Sequence, residues 1–379
     1  MSLSLNEEQM MLQDSARGFL QTKAPVSAFR ELRDHPDKDG FNRQLWADMA
    51  AQGWAGITIP EQFGGVDFGY TGLGLILEEM GRTLTVSPMV STVLMGATAL
   101  NLGGSPAQKT ALLPKIATGE LIIPLALEET RHHNPEQTSL RATPVDKGYC
   151  LNGRKVFVLD AHVADTFIVL ARTSEKNANC TGLSLFLVDS DTQGVTVERA
   201  HMLDSRNAGA VVFNDVTVSS ESVVGEIDEG QELLQSVLDV AQIGLSAELL
   251  GISQQVFEMT LSYLKERKQF GVHIGSFQAL QHRMAQMFCQ IELCKSIVRR
   301  ALNDLDAGHD NVSIVASAAK AKLCETVRRL TNEAIQLHGG IGMTDEFDLG
   351  FYIKRARVAQ QTCGDYNYHL DRFARLNGY

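Results

Sequence analysis

The sequence is poor in the features that mark a disulfide scaffold, a metal protein or a nucleic-acid binder. Its six cysteines, Cys150, Cys180, Cys289, Cys294, Cys324 and Cys363, contain no C-x-x-C pair and no histidine at zinc-ligand spacing. They read as reduced thiols. No run of lysine or arginine stands out, and acids outnumber bases by 45 to 34, so the broad cationic surface needed by phosphate backbones or anionic bilayers is missing. No uninterrupted apolar stretch reaches bilayer length, and Met1 to Leu12 carry acids where a secretion signal is basic and apolar. These absences point to a cytoplasmic protein that neither binds nucleic acid nor inserts into a membrane. An acidic chain can still hold an anionic ligand, given locally placed Arg, Lys or helix N-termini.

What is present is ample apolar material. With 379 residues and 44% hydrophobic content, the chain can bury a large core divided over two or three domains. Residues 1–118 read as helical, with Leu5, Met10, Leu12 and Phe19 near one face and further segments at Gly72–Leu84, Val90–Leu102 and Pro106–Ala117. Loops fall at Pro60–Gly65 and Gly103–Pro106, where turn residues gather. Residues 119–228 change to short β-rich runs: Leu121–Leu127, Tyr149–Val158, Phe167–Ala171, Leu183–Val188, Val195–Arg199 and Ala210–Val218. Asn152-Gly153 predicts a hairpin inside the second of these, because both residues tolerate positive φ. Residues 229–379 return to helix. Leu234, Leu238, Ala241, Leu245, Leu249, Ile252, Val256, Met259 and Tyr263 step by threes and fours along one long helix. Phe277 to Leu305 form a second and about Val312–His338 a third, the pattern of an antiparallel bundle. The methionines in these stripes read as core filler. The fold class is α+β.

Two segments of the bundle carry the chemistry. In Tyr263-Leu-Lys-Glu-Arg-Lys-Gln-Phe-Gly271, followed by Ile274-Gly-Ser-Phe-Gln278, Arg267 is a fixed cation beside a helix end and Gly271 permits a turn that exposes backbone. That combination suits a pyrophosphate. Phe270 can pack on an adenine ring, and Gln269, Phe277 and Gln278 belong to the same stretch. The bland alternative is a surface arginine in a charged helical ladder. In Gln336-Leu-His-Gly-Gly-Ile-Gly342, Gly339 and Gly340 let a phosphate approach the main chain, and Gln336 can bond a ribose or diphosphate oxygen. A helix C-cap explains Gly339 equally well, and both readings can hold together. His338 reads as a structural histidine.

These two segments, in this order and helical context, resemble the signatures of the acyl-CoA dehydrogenase family. Gly56-Ile-Thr-Ile-Pro-Glu61 with Gly64-Gly65, and Val211-Val-Phe-Asn-Asp-Val216, extend the resemblance over almost the whole chain. It implies an N-terminal helical domain, a middle β-barrel-like domain and a C-terminal four-helix bundle. It also implies FAD as cofactor, α,β-dehydrogenation of acyl-CoA thioesters, and an electron-transfer flavoprotein as acceptor. In the family the FAD site is shared between two subunits: the bundle signatures of one chain hold the adenosine diphosphate end, while the β domain and a C-terminal loop of the other hold the flavin. A dimer or tetramer is therefore expected.

The departures are as informative as the matches. The family's α-proton base is commonly a Glu before Gly-Thr, and the corresponding stretch here, Gln360–Asp365, places Cys363 there. The alternative base position, on the first long bundle helix, falls at Ala241. Glu248 lies two turns further along, too far at about 1.5 Å per residue. Asp365 is the remaining weak candidate. In the middle domain, Glu128–Asn134 replaces a Thr-Glu-Pro-Gly loop, and Phe157 and Leu159 replace a Trp and a Thr against the flavin. Arg131-His132-His133 reads as a solvated loop, with an anion or metal site as the lesser alternative. What would serve the chain's own flavin is altered, and what would serve a partner's FAD is kept. The expected role is a subunit that works with a base-bearing paralogue. The alternatives are an active homo-oligomer using Asp365 or Cys363, a flavin-dependent monooxygenase of the same fold, and a subunit that only stabilises its partner.

Overall fold

The computed structural model describes residues 4–175 and 182–379; Cys180 lies outside them. Seen by its own packing, the chain forms two compact units, one from residues up to Asp34 with Tyr70–Thr85 and Gln242–Tyr379, the other from His35–Gly69 and Val86–Ala241.

The first unit is helical. In α1 (Glu7–Lys23) the Asn6 and Gln9 side chains close a reciprocal capping box, and Glu7 and Glu8 face the positive end of the dipole. It is followed by α2 (Val26–Asp34). In the second unit, α3 (Arg43–Ala51) is capped by Asn42, whose side chain accepts from Leu45 N. α4 (Gly69–Thr83) returns to the first unit, with Tyr70 N and Thr71 N capped by the Asp306 carboxylate. The expected helix over Val90–Leu102 takes an unexpected form. Met89–Ala97 is a π-helix running into α5 (Thr98–Gly103). α6 (Pro106–Ala117) occupies its expected span because Ser105 and Gln108 form a second capping box and Pro106 opens the helix.

The β-rich middle region is one eight-stranded sheet of β1 (Leu125–Ala126), β2 (Arg141–Val145), β3 (Gly148–Leu159), β4 (Thr166–Arg172), β5 (Leu183–Asp189), β6 (Val195–His201), β7 (Asn207–Ser219) and β8 (Val223–Val224). Its hydrogen-bonded path runs β6-β7-β3-β2-β4-β5-β8, with β1 beside β4. Phe167, Val169, Phe186 and Val211 are fully buried in its core. Here the structure corrects a sequence expectation: Asn152-Gly153 is no hairpin turn. β3 runs straight through it, pairing Leu151 with Val216 and Gly153 with Phe213 across a bulge. Gly153, at φ 149°, is needed because a Cβ there would lie 2.8 Å from Leu140, while Asn152 exchanges hydrogen bonds with Asp215.

The remaining helices are α7 (Gly230–Glu266), α8 (Gln278–Asp306), α9 (Val312–His338), α10 (Leu349–Gln361) and α11 (Tyr366–Leu376). Between α7 and α8 lies a hairpin of β9 (Lys268–Gln269) and β10 (Val272–His273). From Gln242 onward α7 belongs to the first unit, where Leu245, Leu249, Ile252 and Val256 are fully buried. Each such side chain contributes about 1.5–3 kcal/mol. By length and composition α7 could cross a membrane, but 83% of its most apolar window is buried inside the protein, which is the condition of a core helix.

Candidate cofactor-binding segments and the substituted base positions

The first cofactor segment begins where α7 ends. Arg267 N still donates to Tyr263 O (2.8 Å), and Ile274 N donates back to Arg267 O (2.9 Å), so β9 and β10 are folded against the helix terminus. Phe270 and Gly271 make the turn at φ 54° and 81°, the two successive positive values a two-residue hairpin of matching twist needs. The Phe270 ring is thereby thrust into solvent, 91% exposed, with Phe277 edge-on at 6.2 Å. Arg267, Gln269 and Gln278 are exposed as well. The Arg267 guanidinium forms no ion pair among the described residues, so the charged-ladder reading of this arginine finds no partner there. An unpaired cation, an open backbone turn and two outward aromatic rings fit an adenosine diphosphate group.

The second segment lies at the end of α9. Gln336 is exposed, and Gly339, at φ 66°, ends the helix. A Cβ on Gly339 or Gly340 would meet nothing within 4 Å. These glycines therefore leave the backbone open to a ligand instead of making room for the protein's own packing. The two segments are joined by rings: Tyr263 of α7 stacks on His338 of α9 at 4.5 Å.

At the positions of the expected bases the structure holds no available carboxylate. Ala241 is fully buried, and Cys363 is 6% exposed at φ 56°. The loop around Cys363 is nonetheless tightly built. Its carbonyl oxygen accepts from His369 Nε2 (3.0 Å) and Gln242 Nε2 (3.4 Å). Gln242 is in turn held by Arg372, whose Nη1 also donates to Ser317 Oγ (2.8 Å). Lys320, fully buried, donates to the carbonyl oxygens of Ala359, Gln360, Thr362 and Gly364 at 3.0–3.2 Å. Its charge sits at the negative end of α10. Glu248 is engaged in a buried pair with Arg355, at 2.8 and 2.6 Å. Asp365 is the N-cap of α11, its carboxylate accepting from Tyr368 N (2.9 Å).

The middle-domain departures also have structural uses. The Glu129 carboxylate accepts from Ser139 N, Ser139 Oγ, Leu140 N and Lys155 Nζ. Burial pushes the Lys155 ammonium down, against the pull of Glu129, to about 8. Burial acts against ionisation of Glu129, but Lys155, Ser139 and the Leu140 N–H together hold that carboxyl below its usual range. Arg131 and His132 are exposed as expected of a solvated loop. His133 is not: its side chain is 3% exposed and its Nδ1 lies 2.5 Å from Glu128 Oε1. No group of three metal-binding side chains occurs among the described residues. Phe157, at φ 54°, and Leu159 are half-buried, and Asp160 accepts from Ser91 Oγ (2.5 Å).

Four residues escaped the sequence reading: Lys320, Gln242, His369 and Arg372. Each is a polar group within a helical stripe, and only the fold reveals that they converge on one loop. Comparison with known proteins matches the whole architecture. The acyl-CoA dehydrogenase N-terminal, middle and C-terminal domain families match residues 6–120, 128–216 and 228–376. A 2-methylacyl-CoA dehydrogenase of Solanum tuberosum is 30% identical, over 96% of this chain and 89% of its own length. Subunit CarC of the caffeyl-CoA reductase-Etf complex of Acetobacterium woodii is 29% identical, over 93% of each. A solved chain of a Tcur3481-Tcur3483 steroid ACAD variant superposes with a TM-score of 0.89 at 29% identity, over 99% of this chain and 98% of that one.

Proposed function

The chain belongs to the acyl-CoA dehydrogenase family, and from that premise we propose that it is a subunit of a heteromeric acyl-CoA dehydrogenase, supplying the adenosine diphosphate half of a FAD site to a base-bearing partner. FAD is the cofactor found with this family. The reading is carried by one observation: both base positions are occupied by side chains that are no carboxylate, Ala241 and Cys363, while the Arg267 and Gly339 segments keep an exposed cation and an open main chain. The two-name relative supports a paired assembly. The Etf-complex relative supports an electron-transfer flavoprotein as acceptor.

In this reading Arg267 pairs with the diphosphate, and the main chain at Gly339 and Gly340 approaches its oxygens. Phe270 and Phe277 would pack on the adenine, and Gln269, Gln278 and Gln336 would bond polar groups of the adenosine. Bound flavin supplies the hydride acceptor for the β-hydrogen of an acyl-CoA. Removal of the α-proton needs a positioned general base, which the family resemblance expects to be a carboxylate. Glu248 is tied to Arg355, and Asp365 caps a helix, so that task falls to the partner.

Acyl-CoA oxidation with an artificial electron acceptor tests the proposal. The purified chain alone should be slower by about 10²–10⁴-fold than the complex with a base-bearing paralogue, the usual worth of a general base. A homo-oligomer turning over near the median enzyme rate of ~10 s⁻¹ would sink the partner reading and make Asp365 the first residue to mutate.

A further inference from the structure

The Arg267 and Gly339 segments come from different helices, and a single diphosphate can use both only if they are held in register. The contact that joins them is aromatic. Tyr263 lies one turn before Arg267, whose backbone N–H bonds to it. His338 immediately precedes Gly339. Their rings stack at 4.5 Å with 28° between planes, and Phe347 packs on the same imidazole at 4.8 Å and 48°. The turn packs closely on this residue: a Cβ on Gly342 would lie 2.9 Å from His338 Cβ. His338 is 3% exposed. Its Nδ1 lies 2.7 Å from Ala334 O, which must be an acceptor, so Nδ1 carries the proton and Nε2 is left as the acceptor. Nε2 is buried without a hydrogen-bond partner among the described residues.

We infer that His338 is a positioning residue for the cofactor: its neutral imidazole, stacked on Tyr263 and packed against Phe347 in this unit, keeps the Gly339–Gly342 turn aligned with the Arg267–Gly271 hairpin. The inference rests on the reading that these two segments hold the adenosine diphosphate.

The stack accepts only one protonation state. An imidazolium would place an N–H at Nε2 where no acceptor exists among the described residues, and a buried unsatisfied charge is costly. The groups that face the ring offer no compensation. On α7 the neighbour is Tyr263, on α9 it is the Ala334 carbonyl, and on the following segment they are Gly342 and Phe347. Asp345 and Asp348 of that segment are engaged by Arg33 and Arg30. Burial holds the His338 imidazole below its usual range, opposed only by the bond to Ala334. Protonation is therefore accommodated by moving the ring out of the stack, which releases the Gly339 turn. The apparent affinity for the dinucleotide then falls with the fraction of molecules still aligned.

The test is FAD titration of the purified oligomer, read by flavin fluorescence between about pH 8 and pH 5, a span around the ordinary histidine range, for wild type, His338→Phe, His338→Ala and Tyr263→Leu. Wild type should lose affinity below the ordinary histidine range, by at most about tenfold per pH unit for one proton. His338→Phe keeps a ring in the stack but cannot be protonated. It should bind within about threefold of wild type at the alkaline end and stay flat with pH. His338→Ala and Tyr263→Leu should weaken binding about tenfold or more at every pH, with melting temperatures recorded to confirm folding. A wild-type affinity constant across the whole span, which needs no variant, overturns the inference. So does a His338→Phe profile that declines like wild type, which would assign the proton to another group such as His273 in the hairpin. Arg267→Ala run in parallel separates the two levels of argument. If Arg267→Ala or wild type shows that FAD does not use this site, the site reading and the inference both fall. If Arg267→Ala weakens binding while His338→Ala does not, only the inference falls.

Discussion

Replacing Lys320 with methionine removes an ammonium from the centre of the Cys363 loop while keeping the side chain's length and apolar stem, so the packing change is small. The sign of the effect is decided by two opposing terms. Lys320 has three N–H groups for four carbonyl oxygens, and hydrogen bonds to a charged group are worth about 1.5–3 kcal/mol each, roughly 4.5–9 in all. Against this stands the desolvation of an ammonium that pairs with no carboxylate among the described residues, several kcal/mol. The bonds win, because the variant also leaves those carbonyls buried and without a donor. The net loss is about 2–4 kcal/mol. A chain of this size is no two-state folder, so the loss is best read locally. Opening of the loop exposes the Cys363 thiol, and its alkylation by iodoacetamide, followed peptide by peptide, should accelerate about 30–1,000-fold, taking ~1.4 kcal/mol per factor of ten. Exposed Cys289 provides the reference rate. Alkylation of Cys363 within about threefold of wild type, or slower, would refute the reasoning and show that the ammonium costs as much as its bonds return.

The Arg267→Ala variant should raise the Kd for FAD about 10–150-fold, from loss of a charge-assisted contact worth about 1.5–3 kcal/mol, and should leave the melting temperature of flavin-free protein nearly unchanged because the guanidinium is exposed. A Kd within about threefold of wild type by equilibrium titration contradicts that role. Glu248→Ala should destabilise by about 3–5 kcal/mol by stranding Arg355 in the core, whereas Glu248→Leu with Arg355→Met should cost much less. Equal losses in chemical denaturation would mean the pair itself, and not the stranded charge, sets the cost.

Where local chemistry was decisive, the sequence was readable. Ser105, Pro106 and Gln108 set the start of α6 without help from any distant residue, and Gly339 beyond His338 marked the end of α9. Reading failed where partners far along the chain overrode local preference. Asn152-Gly153 has the dihedral freedom of a turn, but the flanking residues gain more by pairing continuously with β7. Arg141–Val145 is mostly exposed and has no apolar pattern to mark it, and only its pairing with β3 makes it a strand. Leu121–Leu127 looked like a full strand, yet only Leu125–Ala126 finds a partner. The site divides the same way. The identity of Cys363 is legible because it concerns one residue, whereas the Lys320 cage and the Tyr263–His338 stack depend on which helices meet. His133 belongs to this group as well: two adjacent histidines look solvated until Glu128 is seen to take one of them.

The fold of the Cys363 loop does not depend on which side chain stands at position 363. The bonds that Lys320, His369 and Gln242 make to this loop all end on main-chain oxygen: Lys320 on the carbonyls of Ala359, Gln360, Thr362 and Gly364, and His369 and Gln242 on that of Cys363. The side chain at position 363 contributes none of these bonds. Its left-handed backbone, at φ 56°, costs about 1–2 kcal/mol for any non-glycine residue, and that cost is independent of whether the side chain is a thiol or a carboxylate. Gly364, at φ 100°, is the position that cannot change, since a Cβ there would meet Tyr368 at 2.4 Å and His369 Nε2 at 2.9 Å. Scaffold and chemistry are thus separable at this point. Under the proposed subunit role, a carboxylate at position 363 would add a proton acceptor without disturbing these main-chain bonds.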